Sequence, residues 1–478
     1  MREFTDRAID TATQSGASYA DVRIEHRRHQ VISVKNGSLD GISDDRTQGF
    51  GVRALVNGSW GFASSSRLEL TEVDRVARLA VEIARASALA SRRAIDIGAP
   101  IKSVGVYHTP VERDPFTVSL DEKLALLLAA DTAMRRAPGI AIAESSVDCL
   151  RIEKVFASSE GSYVEQTLVE TGGGIEATAI GEHDLQKRSY PNSFGRQQGT
   201  MGWELIEAMD LPANGERIAS EAVQLLTAAP CPEGRMTIIL DGTQTALQVH
   251  ESCGHAIELD RVFGMEASYA GTSFLTLEKR PDFQYGSEHV NIVADATVPG
   301  ALGTFGYDDE GVPAQRTPIV EQGVFQNYIT SRETASRLGE SSNGTMRASG
   351  WNRIPLIRMT NINLDPGPWA FNDLIADTDD GLYLQTNKSW SIDDKRLNFQ
   401  FGTEIGWRIR NGKLAEMIKN PSYAGITPEF WGSCDAVCRE WHVWGTPNCG
   451  KGQPSQVAHV GHGAAPARFR NVRVGVVR

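Results

Sequence analysis

Hydrophobic and polar positions follow two different periods in the first half of this chain. Apolar residues recur every three or four positions in segments 3–14, 71–83 and 119–128, which is typical of amphipathic helices. Segments 18–65 and 140–190 instead alternate apolar and polar residues, and the first of them contains Asn-Gly turns, which indicates antiparallel strands. The first half is therefore expected to combine antiparallel strands with packed helices.

Short alternating segments predominate after residue 234, and Gly, Pro, Asn or Asp bound them, as expected for strands. Helical spacing is confined to 331–338, to 368–376 and to the stretch that follows Leu240. The second half is therefore expected to be mainly antiparallel β, with a few short helices.

The segment 228–234, Ala-Ala-Pro-Cys-Pro-Glu-Gly, is typical of a linker between two domains. A chain of 478 residues with 41% hydrophobic residues is large enough to bury two cores. We therefore predict an α+β fold. Its N-terminal domain, at 1–228, combines antiparallel strands with helices, and its C-terminal domain, at 234–478, is mainly antiparallel β.

The run Thr171–Gly174 contains three consecutive glycines, a feature that phosphate-binding loops also have. No Lys-Ser or Lys-Thr pair follows the run and no helical pattern begins after it, so the sequence disfavours a phosphate loop. A turn or a bulge is the expected structure there.

Composition limits the possible partners and the compartment. The net charge of −12 and the isoelectric point near 5.4 disfavour a nucleic-acid groove, which needs clustered Lys and Arg. No window approaches 18 uninterrupted apolar residues, and segment 1–7 lacks the apolar core of a signal peptide. The six cysteines are too few and too scattered for a disulfide scaffold. A cytoplasmic protein with reduced thiols and no membrane contact is expected.

Candidate metal chemistry is concentrated in Val249–Glu258, which contains two histidines and a glutamate within six residues. His250 and His255 are five positions apart, so a regular helix would separate them by about 140°. Both imidazoles can reach one metal only if the helix widens, kinks or ends between them. Gly254 permits such a distortion, and a π-bulge would return both rings to one side of a distorted metal-binding helix.

Glu251 directly follows the first histidine, where a general base must lie to act on a water that zinc activates. A carboxylate that transfers this proton contributes roughly 10²–10⁴-fold to the rate. The alternative is a chance grouping of polar residues on a helix face. The pattern favours a zinc site with Glu251 as the catalytic base.

A catalytic zinc usually has three protein ligands and one open position, so a third ligand is needed beside the two histidines. Besides several carboxylates, the side chains that could supply it are Cys253, Cys434, Cys438, Cys449, His442, His459 and His462. Cys253 lies between the two histidines and is sterically unsuitable. Cys434 and Cys438 could bind a metal or form a disulfide, but two ordinary cysteines are the simpler expectation. The tail histidines, His459 and His462, are expected to face solvent.

Three later runs accompany the His-Glu-x-x-x-His motif: Asp-Asp-Glu-Gly at 308–311, Arg-Met-Thr-Asn at 358–361 and Thr-Pro-Asn-Cys-Gly at 446–450. Together with the motif they resemble the TldD branch of the TldD/PmbA metallopeptidases, and the resemblance extends from about Tyr19 to the C-terminal region. Taken alone, the run at 308–311 predicts an acidic turn. A second cation site, a substrate contact or a structural role remain open for it.

The resemblance implies that His250, His255 and Cys449 bind Zn²⁺, because Asn-Cys-Gly at 448–450 matches the family's cysteine ligand. It also implies a zinc-dependent metallopeptidase with Glu251 as general base. The implied substrates are small unfolded peptides, held extended beside a sheet edge inside a cavity. The implied assembly is a dimer, either with a motif-lacking PmbA/TldE-like paralogue or with a second copy of the chain.

Two other functions fit the same residues less well. A zinc hydrolase that acts on a non-peptide amide would need the same ligands and base, so only substrate profiling distinguishes it from a peptidase. A non-catalytic binding or modulatory subunit would have no physical need for the complete set. A metallopeptidase, with endo- or exopeptidase action left open, is therefore the predicted function.

Overall fold

The computed structural model of the protein describes residues 1–475, and its N-terminal half is built around one large sheet. The helices and strands of this half are α1 Arg2–Gln14, β1 Tyr19–Lys35, β2 Ser38–Val56, β3 Ser59–Ser65, α2 Leu70–Ala90, β4 Val104–His108, α3 Leu120–Arg135, β5 Ile140–Ser158, β6 Tyr163–Ile180, β7 Leu185–Tyr190, β8 Gln197–Gly199, α4 Glu204–Met209 and α5 Leu211–Thr227. The Ser119 hydroxyl caps α3 by accepting from the N–H of Glu122. The helical and alternating patterns therefore mark real elements.

The N-terminal sheet has the strand order β3-β2-β1-β5-β6-β4, and β7 and β8 also pair with β6. All its pairings are antiparallel except that of β4 with β6. Helices α1 and α2 pack on one part of the sheet, and α3 and α5 pack on another. This is the mixed arrangement expected for the first half.

The glycine run Thr171–Gly174 lies inside strand β6, so the predicted turn or bulge is wrong. Its residues pair with β5 on one side without a shift of register, and Thr171, Gly172 and Gly173 pair with β8 on the other. A Cβ at Gly174 would overlap the backbone of Gly195, and one at Gly172 would crowd the carbonyl of Gln197. The glycines therefore permit the 195–197 backbone to pack directly on the strand.

The C-terminal half contains most of the short elements. They are β9 Ala229–Pro230, β10 Gly234–Leu240, α6 Gly242–Val249, a π-helical turn His250–Gly254, α7 Leu259–Val262, β11 Ile292–Asp295, β12 Arg316–Glu321, β13 Val324–Phe325, α8 Arg332–Ser336, β14 Met346–Arg347, β15 Leu356–Ile357, β16 Ile362–Leu364, α9 Phe371–Ala376, β17 Asp380–Ile392, β18 Asn398–Arg410, β19 Lys413–Lys419, β20 Ser422–Ile426, α10 Thr427–Gly432, β21 Cys434–Val437, β22 His442–Lys451, β23 Gln456–Ala464 and β24 Ala467–Val474.

The main C-terminal sheet has the order β17-β10-β24-β20-β18-β19-β9, with β21 paired to β24. A second sheet has the order β13-β12-β11-β16, and β22 and β23 form a separate hairpin. Most pairings are antiparallel, so the predicted α+β class is confirmed. The last three residues of the predicted 234–478 domain lie outside the described residues. Within 1–475, no helix is both long and apolar enough to cross a bilayer.

Helix α6 and the π-helical turn are embedded in the hydrophobic core of the C-terminal half. Val249, Cys253 and Ala256 are buried there among side chains from the main sheet and the second sheet. The apolar side of the helix is therefore fixed by packing on several elements. Its polar side carries the candidate site residues.

Candidate metal centre and active-site cavity

The histidine-bearing helix begins directly after strand β10 and widens at its end. The Asp241 carboxylate caps its first turn by accepting a hydrogen bond of 2.8 Å from the N–H of Gln244. The helix becomes π-helical over His250–Gly254, where the N–H of His255 donates to the carbonyl of His250 at 3.2 Å. The predicted π-bulge is confirmed.

The wider turn brings the two histidines together. The ring centroids of His250 and His255 lie 5.0 Å apart, and both side chains are buried. Gly254 permits this geometry, because a Cβ at that position would overlap the sulfur of Met359. The packing therefore demands a residue without a side chain directly before His255.

Cys449 reaches the histidines from strand β22. Its sulfur lies 3.7 Å from Nε2 of His255, and one ligand atom from each of His250, His255 and Cys449 lies within 4.8 Å of the others. Ligand atoms on a tetrahedral zinc with bonds of 2.0–2.3 Å are roughly 3.5 Å apart, so small movements suffice for a shared ion. Two imidazole nitrogens and a thiolate are also donors that zinc prefers. The residues present fit this metal.

Hydrogen bonds behind His250 select the nitrogen that faces the centre. Nδ1 of His462 lies 3.2 Å from the carbonyl oxygen of Ile362, which can only accept, so this nitrogen carries the proton. The bare Nε2 of His462 then accepts from Nδ1 of His250 at 2.7 Å. The lone pair on Nε2 of His250 is left for a metal.

A carboxylate performs the same task for the second histidine. Nδ1 of His255 donates to Oε2 of Glu258 at 3.0 Å, which leaves Nε2 facing Cys449. Nζ of Lys451 lies 3.3 Å from the same carboxylate oxygen and is completely buried. Lys451 and Cys449 lie on the same strand, β22. The ion pair therefore connects the strand that carries Cys449 to the carboxylate that supports His255.

Burial keeps the imidazoles neutral. It lowers the pKa of His250 and lowers the pKa values of His255 and His462 well below the usual histidine value. Burial alone would raise the pKa of Cys449, but the positive charge that His255 carries when it is protonated, together with the charge of Arg358, lowers the pKa of this thiol. Neutral imidazoles and a readily ionised thiol are the forms that bind metals.

Glu251 lies beside the three candidate ligands, with 8% of its side chain exposed. Its Oε2 accepts a hydrogen bond of 2.6 Å from Nη1 of Arg396. Its Oε1 lies 3.9 Å from Nε2 of His250, the nitrogen that is free to bind a metal. One carboxylate oxygen is thus bonded to Arg396, and the other lies near the candidate ligand nitrogen of His250.

A cavity of about 500 Å³ opens beside these residues. The N-terminal half contributes the loop between β7 and β8 to its wall, and the C-terminal half contributes α6, the β17–β18 hairpin and β22. Phe194 and Trp390, one from each half, meet edge to face with ring centroids 6.2 Å apart. Both halves of the chain therefore shape the candidate site.

The other cysteines lie outside the centre. Cys253 is buried in the hydrophobic core, and Cys434 and Cys438 are buried free thiols whose pKa values burial raises to about 12. Within residues 1–475, the group of metal-binding side chains close enough to share an ion is the His, His, Cys set. Of the candidate third ligands, the structure brings Cys449 to the histidines.

The expectation that the tail histidines face solvent is wrong for His462, whereas His459 is partly exposed. His462 is buried against His250, and Nδ1 of His459 contacts the carboxylate of Glu170 on strand β6. The β22–β23 hairpin folds back over the histidine-bearing helix, so its side chains meet residues far away in the sequence. His442, on the same hairpin, is exposed.

Four further residues organise the site: Glu258, Arg396, Lys451 and His462. Only Glu258 has a local signal, since it lies three positions after His255 in the sequence. The other three reach the site from strands and turns that the sequence does not place in space.

The acidic run at 308–311 is a buried connection between the two halves of the chain. Nζ of Lys154 donates to Asp309 at 2.7 Å, and Nη1 of Arg23 lies 3.5 Å from the same carboxylate. Nη1 of Arg53 donates to Glu310 at 3.1 Å. Cations of the N-terminal sheet thus pair with Asp309 and Glu310, which supports a structural role for the run.

Family models cover most of the chain. Models for domain 1, the central domain and the C-terminal domain of the PmbA/TldA metallopeptidases match residues 20–84, 113–229 and 233–475, respectively. The His, Glu, His and Cys residues of the candidate site all lie within the third match.

Curated relatives match over nearly their full length. A metalloprotease of Methanothermobacter thermautotrophicus is 33% identical over 96% of this chain and 95% of its own length. A metalloprotease of Methanocaldococcus jannaschii is 30% identical over 94% of this chain and 95% of its own. A zinc metalloprotease TldD homolog of Saccharolobus solfataricus is 20% identical over 98% of both chains.

A solved structure has the same fold. TldE from Thermococcus kodakarensis superposes with a TM-score of 0.76 at 17% identity and covers 98% of this chain and 99% of its own. The similarity spans both halves, so the arrangement of the two large sheets is common to the two proteins.

Proposed function

Because this chain belongs to the PmbA/TldD family of metallopeptidases, we propose that it is a zinc-dependent peptidase that hydrolyses small unfolded peptides. One observation carries the proposal. The buried side chains of His250, His255 and Cys449 lie close together, beside Glu251 and an open cavity. The name of the Saccharolobus solfataricus relative supports the choice of metal.

His250 and His255 would hold the metal through Nε2, and Cys449 would hold it through its sulfur. When bound, zinc supplies Lewis-acid chemistry, since it polarises a carbonyl oxygen and makes water nucleophilic near neutral pH. The supporting groups behind the ligands, Glu258 and His462, hold both rings with their metal-facing lone pairs directed inward.

Glu251 is the proposed base. Its free oxygen, Oε1, accepts a proton from the reacting water and returns it to the nitrogen of the leaving amine. The second oxygen stays bonded to Arg396 during both transfers, so the carboxylate keeps its direction.

Strand β22 is the proposed platform for the peptide. Residues 444–450 of this hairpin line the cavity and end at the cysteine ligand, so an extended peptide beside them would pass the metal. The Gln197 side chain bonds the backbone of Val443 and Gly445, which closes the strand edge at that end. Recognition through backbone groups predicts little side-chain specificity, and the cavity is too small for a folded protein.

The predicted dimer remains part of this proposal. The fold shared with TldE supports a partner built on the same plan, either a motif-lacking paralogue or a second copy. Six free thiols in the chain support the predicted cytoplasmic location.

Replacement of Glu251 by Gln tests the proposal, because the amide keeps the shape and removes the base. The variant should retain zinc and its melting temperature while kcat for unfolded peptides falls by roughly 10²–10⁴-fold. Glu416→Gln, a change in an exposed pair with Arg410, is the matched control and should behave as wild type. Wild-type peptide hydrolysis by Glu251→Gln would refute the base assignment. If the wild type cleaves simple amides but not peptides, the amide-hydrolase alternative is favoured.

A further inference from the structure

The tip of the β17–β18 hairpin is a rigid turn that ends in Arg396. The N–H of Arg396 donates to the carbonyl of Asp393 at 2.9 Å, and the N–H of Leu397 donates to the Asp393 carboxylate at 2.8 Å. Nδ2 of Asn398 bonds the other carboxylate oxygen at 2.6 Å. Arg396 itself has a φ of +63°, a conformation that residues with a side chain rarely adopt.

Neighbouring segments hold this tip in place. The Thr427 hydroxyl donates to the carbonyl of Arg396 at 2.9 Å, and the N–H of Phe274 donates to the carbonyl of Lys395 at 2.9 Å. Nη1 of Arg261 adds a bond of 3.2 Å to the carbonyl of Asp394. The backbone of residues 394–396 is therefore held by hydrogen bonds from three neighbouring segments.

The Arg396 side chain spans the distance from the tip to the base. It is 15% exposed, and its Nη1 lies 2.6 Å from Oε2 of Glu251. An unpaired glutamate has freely rotating terminal torsions, whereas one with an oxygen bound to a fixed guanidinium keeps the other oxygen in one direction. Here that other oxygen is the one 3.9 Å from Nε2 of His250.

We propose that Arg396 is a positioning residue that orients Glu251 for proton transfer. The inference rests on the proposed function, since it explains how the carboxylate of the proposed base, Glu251, is oriented. A positive φ at a residue whose side chain bonds the base supports it, because such a conformation persists only where surrounding bonds enforce it. The competing role for a cation on the cavity wall is binding of a substrate carboxylate.

Replacement of Arg396 by Ala, assayed on the metal-loaded protein, separates these roles. Loss of orientation should lower kcat for a neutral, C-terminally amidated peptide by roughly 10- to 100-fold and leave KM within about threefold. Zinc content and melting temperature should stay at wild-type values. Added guanidinium ion, at concentrations too low to denature, should restore part of kcat in Arg396→Ala, and Arg396→Lys should have an intermediate kcat.

Two comparisons make the result specific. Arg408→Ala is the matched control, because Arg408 is 13% exposed, lies on β18 and has a bond of 2.6 Å to Asp380 outside the cavity. It should keep wild-type kcat. Guanidinium should not increase the residual rate of Glu251→Gln, because the group that it would orient is no longer a base.

The outcomes distinguish this inference from the proposed function. Unchanged kcat in Arg396→Ala, or a raised KM with unchanged kcat, would overturn the positioning role while peptide hydrolysis by the wild type stands. Equal loss in Arg408→Ala, or no rescue by guanidinium, would also overturn it. Wild-type activity in Glu251→Gln, or none in the metal-loaded wild type, would refute the proposed function and the inference with it.

Discussion

The two candidate histidine ligands receive different supports. A carboxylate, Glu258, lies behind His255, as is common for metal-binding histidines. Behind His250 lies another neutral imidazole, His462, whose own proton is directed to a backbone carbonyl. A carboxylate would make its histidine more basic, whereas an imidazole fixes the tautomer without adding a negative charge. The two supports therefore leave Nε2 of both histidines free for a metal, and only one of the supports, Glu258, carries a negative charge.

Replacement of His462 by Phe should weaken zinc binding by about 10- to 100-fold, because Nδ1 of His250 loses its acceptor. The phenyl ring fills most of the space, so the fold should persist. Competition with a chelator measures the affinity, and His442→Phe on the same hairpin is the control because His442 is exposed. Equal zinc affinity in both variants would contradict the role assigned to His462.

At the scale of elements, the π-helical turn brings together two histidines that are five positions apart in the sequence. One hydrogen bond between His255 and His250 closes a wider turn, which places residues five apart on one side. The turn also leaves Glu251 beside its neighbour His250, on the cavity side of the helix. A regular α-helix would direct one of the two imidazoles into the core.

Gly254→Ala should lower zinc content and peptide hydrolysis together, because the added Cβ overlaps the sulfur of Met359. The double variant Gly254→Ala with Met359→Ala should recover part of both, since the obstructing side chain is gone. Gly432→Ala is the control, because a Cβ at Gly432 meets no atom within 4 Å. Full zinc content in Gly254→Ala would show that the turn tolerates a side chain.

At the scale of the whole molecule, buried ion pairs join the two halves of the chain. Asp309 is 1% exposed and pairs with Lys154 and Arg23 of the N-terminal sheet. Burial would raise the pKa of Asp309, but these two cations outweigh it and lower that pKa. Because the cavity has walls from both halves, this connection also preserves the shape of the site.

Asp309→Asn should lower the free energy of unfolding by about 3 kcal/mol, because two buried cations lose their counter-charge. A lowered folded-state pKa stabilises above the unfolded value of 3.8, so the difference from wild type should be full at pH 7 and shrink as pH falls below about 4. Thermal unfolding at several pH values measures it. Asp380→Asn, in a pair that is 59% exposed at the carboxylate, should cost less than about 1 kcal/mol. Equal, pH-independent losses in both variants would contradict the account.

The sequence predicted those parts of the site that depend on local spacing. Hydrophobic periods predicted α1, α2, α3, α8, α9 and the β-rich second half, but not α4, α7 or α10. The five-residue spacing with Gly254 predicted the π-bulge. Cys449, which lies 194 positions after His255, was identified only through the family resemblance. Arg396 and His462 reach the site through hairpins whose packing depends on the whole fold. The glycine run in β6 was misassigned because its reason, close packing of the 195–197 backbone, is a tertiary contact.

Zinc content per chain, measured with peptide hydrolysis on the same samples of wild type, Cys449→Ala and Cys438→Ala, tests whether His250, His255 and Cys449 hold the metal. We expect one zinc and activity in the wild type and in Cys438→Ala, whose thiol is buried away from the centre. Cys449→Ala should lose both zinc and activity. Zinc retained with full activity in Cys449→Ala would contradict the His, His, Cys centre on which the account rests.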